Sequence, residues 1–214
     1  MNYAIVFSIT IFFIGCKPKK ENIEDQVNLV KGTFGYDIDF LQRYYDDLVV
    51  LQSGDAGIIV SSELQGRVMT STANGTDGQS FGWINYDLIA SGKQMEHFNP
   101  LGGEERFWLG PEGGQFSIYF KPNTPFEFDH WYVPKELDTE PFSLLARDSL
   151  TAHFEKKMRL TNYSRTVFDI KVSRKIQLLN QGEVSSNLDI DLPKGISAVG
   201  FQSENSVTNI GRNA

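Results

Sequence analysis

The chain has 214 residues, of which 40% are hydrophobic and 13% aromatic, so it has enough apolar material for a packed domain and is neither disordered nor collagen-like. Its formal net charge of −7 argues against nucleic acid as a partner, because phosphate binding needs clustered lysine and arginine side chains. One cysteine and three histidines form neither a CxxC pair nor an HExxH motif, so we expect no metal site and no cofactor.

The N-terminus predicts export and lipid anchoring. Residues 1–15 (MNYAIVFSITIFFIG) carry no charged side chain, and their length suits a signal peptide better than a membrane span. The segment 13–16 (FIGC) resembles a bacterial lipobox, although Phe13 replaces the usual leucine. The alternatives are a plain signal peptide or a buried strand with an incidental cysteine. We therefore expect Cys16 to be acylated and residues 16–30 to tether the protein to a bacterial envelope membrane, at the outer membrane or the periplasmic face.

Residues 31–214 are predicted to form an all-β domain. Short runs rich in β-branched side chains alternate with turns, as in an antiparallel meander. The predicted elements are a short helix over residues 37–46 and strands over residues 48–52, 57–61, 67–72, 115–120, 187–192 and 196–201.

The clearest pattern is a two-residue period between Thr151 and Leu178. Apolar side chains alternate with polar ones on both sides of the turn Asn162–Arg165. This alternation is typical of two long, half-buried strands, so we predict a hairpin centred near Ser164 within a large antiparallel sheet.

Lys156 and Arg174 interrupt the apolar face of this hairpin. In the predicted register they are diagonal neighbours on one face, and each needs a carboxylate partner or an opening to water, because a buried unpaired cation is costly. Two explanations stay open. The charges either belong to a bulge or a guarded sheet edge, or line a cleft that binds anionic or hydroxyl-rich ligands.

The segment Gly102–Gln115 (GGEERFWLGPEGGQ) is the strongest candidate for a binding loop. Its carboxylates and its arginine can form charge-assisted hydrogen bonds to sugar hydroxyls. Phe107 and Trp108 can offer a flat apolar surface to the C–H face of a sugar. The alternative is structural, with an ion pair between Glu105 and Arg106, a core tryptophan and glycines that only form turns.

Residues 78–82 (GQSFG) match the G-x-S-x-G pattern of a serine nucleophile elbow. Such an elbow needs a buried strand before it and a helix after it within a parallel sheet. Here the preceding residues, TANGTD, form a polar turn, so we do not assign a hydrolase.

Four segments resemble an uncharacterised family of Gram-negative lipoproteins that is assigned to the galactose-mutarotase-like β-supersandwich. They are residues 66–70 (GRVMT), 80–85 (SFGWIN), 97–120 (HFNPLGGEERFWLGPEGGQFSIYF) and 138–142 (DTEPF). The resemblance implies large antiparallel sheets with a concave face that binds carbohydrate. Members of that family continue past the length of this chain, so it also implies that the domain is the first half of a supersandwich, with sheet edges left unpaired.

The leading hypothesis is a membrane-anchored carbohydrate-binding lipoprotein, with a saccharide on a concave sheet face and the bilayer as its second partner through acylated Cys16. The expected ligand-binding residues are Arg67, Glu104, Arg106, Trp108, Glu112, Trp131, Lys156 and Arg174. One alternative is an aldose 1-epimerase-like or other sugar-modifying enzyme, with His130 as acid and a carboxylate from Glu105, Glu104 or Glu112 as base. The other is a structural surface lipoprotein that contacts a protein partner of unknown identity.

Overall fold

The computed structural model describes residues 29–212, so the predicted signal peptide and Cys16 lie outside the described residues. The helices in this range are α1 (Phe34–Gln42), α2 (Tyr86–Ser91), α3 (Lys135–Asp138) and α4 (Gln181–Leu188), with a 3-10 turn at Phe128–His130. The strands are β1 (Leu48–Ser53), β2 (Ala56–Ser61), β3 (Arg67–Thr72), β4 (Ser143–Arg147), β5 (Thr151–Thr161), β6 (Val167–Leu179) and β7 (Gly200–Asn209).

The strands form two antiparallel sheets, ordered β1-β2-β3 and β4-β5-β6-β7, which confirms the all-β, sandwich-like prediction. None of the described helices is long and apolar enough to cross a bilayer.

The smaller sheet is the middle layer of the domain. Ile58 and Val60 of β2 pack in a core shared with the larger sheet, whereas Ile59 packs on the opposite face against α1 residues such as Phe34 and Leu41. Because both faces are covered, every residue of β2 is buried and its sequence, AGIIVS, is nearly all apolar.

The predicted hairpin is confirmed. β5 pairs with β6 from Thr151↔Gln177 to Thr161↔Val167, so the turn between the strands is centred on Ser164. Asn162 closes the turn, since its side-chain Oδ1 accepts the Thr166 backbone N–H at 2.8 Å.

Lys156 and Arg174 lie opposite Val172 and Phe154 respectively, which makes the two cations diagonal neighbours on the inner face, as predicted. The three-stranded meander is also confirmed, with β1, β2 and β3 in the expected order.

Two strand predictions are wrong. Residues 115–120 form a loop that makes an isolated bridge from Phe120 to Trp131, and the buried hydroxyl of Ser117 donates to the nearby Glu112 carbonyl. Residues 187–192 include the end of α4, which begins with a capping box formed by Asn180 and Glu183. The strand predicted over residues 196–201 begins only at Gly200, where β7 starts.

Candidate functional site

The segment Gly102–Gln115 is attached to β3 at its start. The Val68 backbone N–H donates to the Glu105 carbonyl at 3.0 Å. Gly102 has φ +95°, and a Cβ at this position would lie 2.2 Å from the carbonyl oxygen of Trp83. Glycine is therefore required for the loop to pass this close to the neighbouring backbone.

Glu105 is held by the inward-facing Arg174. The Arg174 guanidinium is fully buried and forms a two-point ion pair with the Glu105 carboxylate. It also donates to the Gly66 carbonyl at 3.1 Å and to Asn205 Oδ1 at 2.8 Å, while the Ser203 hydroxyl donates to Glu105 at 3.3 Å. The buried charge of Arg174 is therefore paired, and its donors have acceptors. The structural alternative predicted an ion pair between Glu105 and Arg106, but Glu105 pairs with Arg174 instead.

Lys156 also has a carboxylate partner, Glu140. Its Nζ lies 2.7 Å from Glu140 Oε2, and Lys135 Nζ lies 2.9 Å from the other oxygen of the same carboxylate. The hydrogen bond from Lys156, followed by that from Lys135, lowers the pKa of Glu140. Both interrupting cations therefore have carboxylate partners, which favours the structural explanation for them over a ligand cleft on this face.

The first half of the Gly102–Gln115 segment mainly supports the core. Glu104 accepts hydrogen bonds of 2.9 and 3.0 Å from the Ser71 hydroxyl, and desolvation raises the pKa of its carboxyl group. Phe107 is buried between the sheets, and Arg67 is buried with its Nη1 donating to the Gly102 carbonyl at 2.8 Å.

The second half of the segment joins a row of aromatic rings. Trp108 stacks on Tyr119 (centroids 5.2 Å apart, planes at 22°), Tyr119 on Trp131 (5.7 Å, 12°) and Trp131 on Phe128 (6.1 Å, 19°). We call these four residues the aromatic row. Their nearly parallel planes bring together side chains from three separate parts of the sequence.

Main-chain bonds fix the row. The Tyr132 N–H donates to the Tyr119 carbonyl at 2.9 Å, and Phe120 bridges to Trp131, so two irregular segments run side by side. The Tyr119 hydroxyl donates to the Leu109 carbonyl at 2.5 Å, which connects the row to the Gly102–Gln115 segment.

His97 is the histidine that packs on aromatic rings. Its ring lies 4.5 Å from Tyr132 and 4.6 Å from Phe128, centroid to centroid, and its Nδ1 donates to the Trp131 carbonyl at 2.7 Å. His130, the sequence-based candidate, lies in the 3-10 turn, and its only hydrogen bond across residues 29–212 is made by its backbone. No hydrogen bond joins it to Glu105 in the same range.

An open cleft of about 370 Å³ lies beside the aromatic row. Four aromatic and two acidic side chains line it, namely Glu112, Phe120, Phe126, Glu127, Phe128 and Trp131. Phe126 is 51% and Phe128 is 67% exposed, so both rings present apolar surface to the cleft. Glu112 accepts a 2.9 Å hydrogen bond from Trp108 Nε1, so one carboxylate is fixed to the row.

This cleft combines flat apolar surface with carboxylate acceptors, which suits a ligand that has both C–H faces and hydroxyl groups. Of the residues predicted from the sequence, Glu112 and Trp131 line this cleft, and Trp108 is bonded to Glu112. Phe126, Glu127 and Phe128 were missed, although the density of aromatic residues in PFEFDHWY (125–132) was a visible signal. The described residues contain no cluster of side chains suited to a metal ion.

Ser80, the serine of the GQSFG match, lies in the loop between β3 and α2. Its hydroxyl donates to Asp37 of α1 and lies 2.6 Å from the Thr70 hydroxyl. In the described part of the chain no histidine is among its hydrogen-bond partners.

Residues 32–214 match a family of unknown function, DUF6786. The match includes both sheets and the whole aromatic row. No curated protein and no solved structure matches the chain. Inference about function therefore rests on the geometry of the chain's own residues.

Proposed function

We propose that this chain, which belongs to the DUF6786 family, is a carbohydrate-binding protein that holds a saccharide in the cleft beside the aromatic row. As the sequence predicts, it acts while anchored to a cell-envelope membrane through acylated Cys16. Binding without chemical conversion is the activity that the site supports best.

One observation carries the proposal, namely that the aromatic row ends in the exposed ring of Phe128. Tyr119 is buried and rigidly placed, whereas Phe128 at the end of the row exposes most of its surface. A pyranose ring has a flat C–H face that packs well on such a surface, and prearranged aromatic side chains lose little conformational entropy on binding.

The acidic residues of the cleft supply the polar part of recognition. Glu112 and Glu127 line the same cleft as Phe126, Phe128 and Trp131. Carboxylates accept hydrogen bonds from sugar hydroxyls, and such charge-assisted bonds are stronger than bonds between neutral groups. The negative charge of the cleft favours a neutral saccharide over an acidic one.

The test is equilibrium binding of the full chain to a panel of neutral mono- and oligosaccharides. We expect one saccharide class to bind and to raise the unfolding temperature, since a ligand that prefers the native state stabilises it. Phe128→Ala and Trp131→Ala should each weaken binding by roughly tenfold or more, the effect of losing a stacked aromatic contact. Phe81→Ala is the matched control, because Phe81 is also an exposed phenylalanine but lies outside the cleft.

Two outcomes would contradict the proposal. A folded chain that binds no saccharide, but captures a protein through the same aromatic side chains, would establish the protein-contact alternative. Saccharide binding that Phe81→Ala weakens as much as Phe128→Ala would place the ligand elsewhere.

Anchoring is tested separately with Cys16→Ser in a Gram-negative host. We expect the unaltered chain to fractionate with membranes and to incorporate labelled fatty acid, and the variant to do neither. A variant that still fractionates with membranes would contradict lipid anchoring at Cys16.

A further inference from the structure

The cleft beside the aromatic row has aromatic surface on more than one side. Phe120 and Phe126 both line it, and their rings meet almost at right angles, with planes at 82° and centroids 5.0 Å apart. Phe128 and Trp131, which also line it, lie nearly parallel to each other. Rings at different angles around one space surround a ligand group and do not offer it only a single flat face. Such an arrangement suits a compact cation, which is attracted to the faces of aromatic rings.

The two carboxylates of the cleft keep free acceptor oxygens. Glu112 accepts from Trp108 through Oε1, so its Oε2 has no donor among residues 29–212. Within the same range Glu127 accepts a hydrogen bond only through its backbone carbonyl, from the His130 N–H at 2.9 Å. Both glutamates are exposed and both line the cleft. Three carboxylate oxygens, one from Glu112 and two from Glu127, are therefore open to a ligand that donates hydrogen bonds.

The negative charge of the cleft is not neutralised from within. No lysine, arginine or histidine is among its lining residues in the described part of the chain. Arg106 packs over the Trp108 ring, 4.4 Å from its centroid, but neither residue lines the cleft. The Arg106 guanidinium also donates to the Leu137 carbonyl at 2.5 Å and lies 3.7 Å from Asp138 Oδ1, so its charge has its own counter-charge.

Further carboxylates beside the aromatic row add to the negative charge. The Tyr132 hydroxyl donates to Glu96 at 3.4 Å, and Asp129 follows Phe128 in the 3-10 turn. Desolvation, followed by the charges of Glu96 and Asp129, raises the pKa of the Tyr132 hydroxyl. Together with the net charge of −7 of the whole chain, these groups attract a positively charged ligand.

We infer that the saccharide held in this cleft is an amino sugar, whose protonated amino group lies among the aromatic rings and donates to Glu112 or Glu127. This inference rests on the function proposed above and names the class of saccharide. An ammonium group forms a stronger hydrogen bond to a carboxylate than a hydroxyl group does, and it also gains from the ring faces. The cleft therefore prefers the amino sugar to its neutral counterpart, which binds to the same rings more weakly.

The test is calorimetric titration of the full chain at about pH 6, where an ordinary amine is protonated. The ligands are D-glucosamine and D-galactosamine, each with its parent hexose and its N-acetyl derivative. The N-acetyl derivative keeps the nitrogen and the ring but has no charge. We expect the amino sugar of at least one set to bind at least about fivefold more tightly than both neutral members. This preference should shrink as salt increases.

Two variants separate the effect of charge from that of shape. Glu112→Gln and Glu127→Gln each remove one negative charge at an exposed position of the cleft. Each should weaken binding of the amino sugar about threefold or more and leave binding of the neutral sugars nearly unchanged. Asp77→Asn removes an exposed carboxylate outside the cleft and should alter neither.

The outcomes distinguish this inference from the proposed function. Equal binding of amino and neutral sugars overturns the inference, as does a preference that persists when Glu112→Gln and Glu127→Gln are combined. In both cases, neutral sugars that bind more weakly to Phe128→Ala would still support a saccharide site. If no sugar binds, both proposals fail. Tetramethylammonium chloride tests a cation without a sugar ring, and its binding as tightly as the amino sugar would overturn the inference.

Discussion

Glu105 and Arg174 form a two-point ion pair across 69 residues of sequence, but only the carboxylate reaches solvent. The Glu105 side chain is 29% exposed, whereas that of Arg174 is fully buried. Removing Arg174 leaves a carboxylate that water can hydrate. Removing Glu105 leaves a buried guanidinium that water cannot reach.

We expect Glu105→Ala to lower the free energy of unfolding by about 3–5 kcal/mol, since it leaves the Arg174 charge buried and uncompensated. Arg174→Met should cost less, about 1–3 kcal/mol, because the released Glu105 carboxylate can turn to water. Urea denaturation of both single variants and the double variant measures this. A double variant as unstable as the sum of the single variants would contradict the coupling.

The backbone at Gly102 predicts a second stability effect. Gly102→Ala should destabilise the fold by about 1–3 kcal/mol, since its φ of +95° suits glycine and a Cβ would strike the carbonyl oxygen of Trp83. Gly113→Ala is the matched control in the same segment, where a Cβ meets nothing within 4 Å. Equal melting temperatures for the two variants would disprove the steric argument.

The Glu140 ion pairs predict a pH effect of defined sign. Bonds from Lys156 and Lys135 hold the folded-state pKa of Glu140 below its ordinary value of 4.5. The stabilisation is therefore complete above pH 4.5 and is lost as the pH falls through the lower folded-state pKa. We expect the stability difference between the unaltered chain and Glu140→Gln to shrink in that acidic range. Asp77→Asn, which removes a carboxylate at an exposed loop position, is the matched control.

We expect no acceleration of the interconversion of sugar anomers. Glu105 is engaged by Arg174 and Ser203, Glu104 by Ser71 and Glu112 by Trp108, and among residues 29–212 no hydrogen bond joins any of the three carboxylates to His130. Polarimetry of freshly dissolved α-D-galactose and α-D-glucose measures the rate. Acceleration that His130→Ala abolishes and His153→Ala preserves would establish the enzyme alternative instead.

The sheets were readable from the sequence because their patterns are long and local. The alternation from Thr151 to Leu178 and the turn at Ser164 determine both the hairpin and its register. The segment 115–120 has the composition of a strand (QFSIYF), but its Ser117 and Tyr119 hydroxyls donate to the Glu112 and Leu109 carbonyls of the preceding segment. The capping residues Asn180 and Glu183 could have shown α4 in advance.

The site was only partly readable. Trp108, Glu112 and Trp131 were predicted as ligand contacts from side-chain chemistry, and the structure brings them together. The partners of Arg174 were not predicted. A pairing between distant segments depends on the packed fold and leaves no local pattern in the sequence. For the same reason His97, which is distant in sequence from Trp131, was not recognised as a neighbour of the row.

The burial of β2 on both faces has a consequence for the kinetics of local opening. Residues 57–61 of β2 pair with β1 on one side and with β3 on the other, so their amides should be among the slowest to exchange in the described part of the chain. The aromatic row rests on irregular backbone that few ladder bonds support. Amides of this irregular backbone should therefore exchange faster than those of β2, through local opening that leaves both sheets closed.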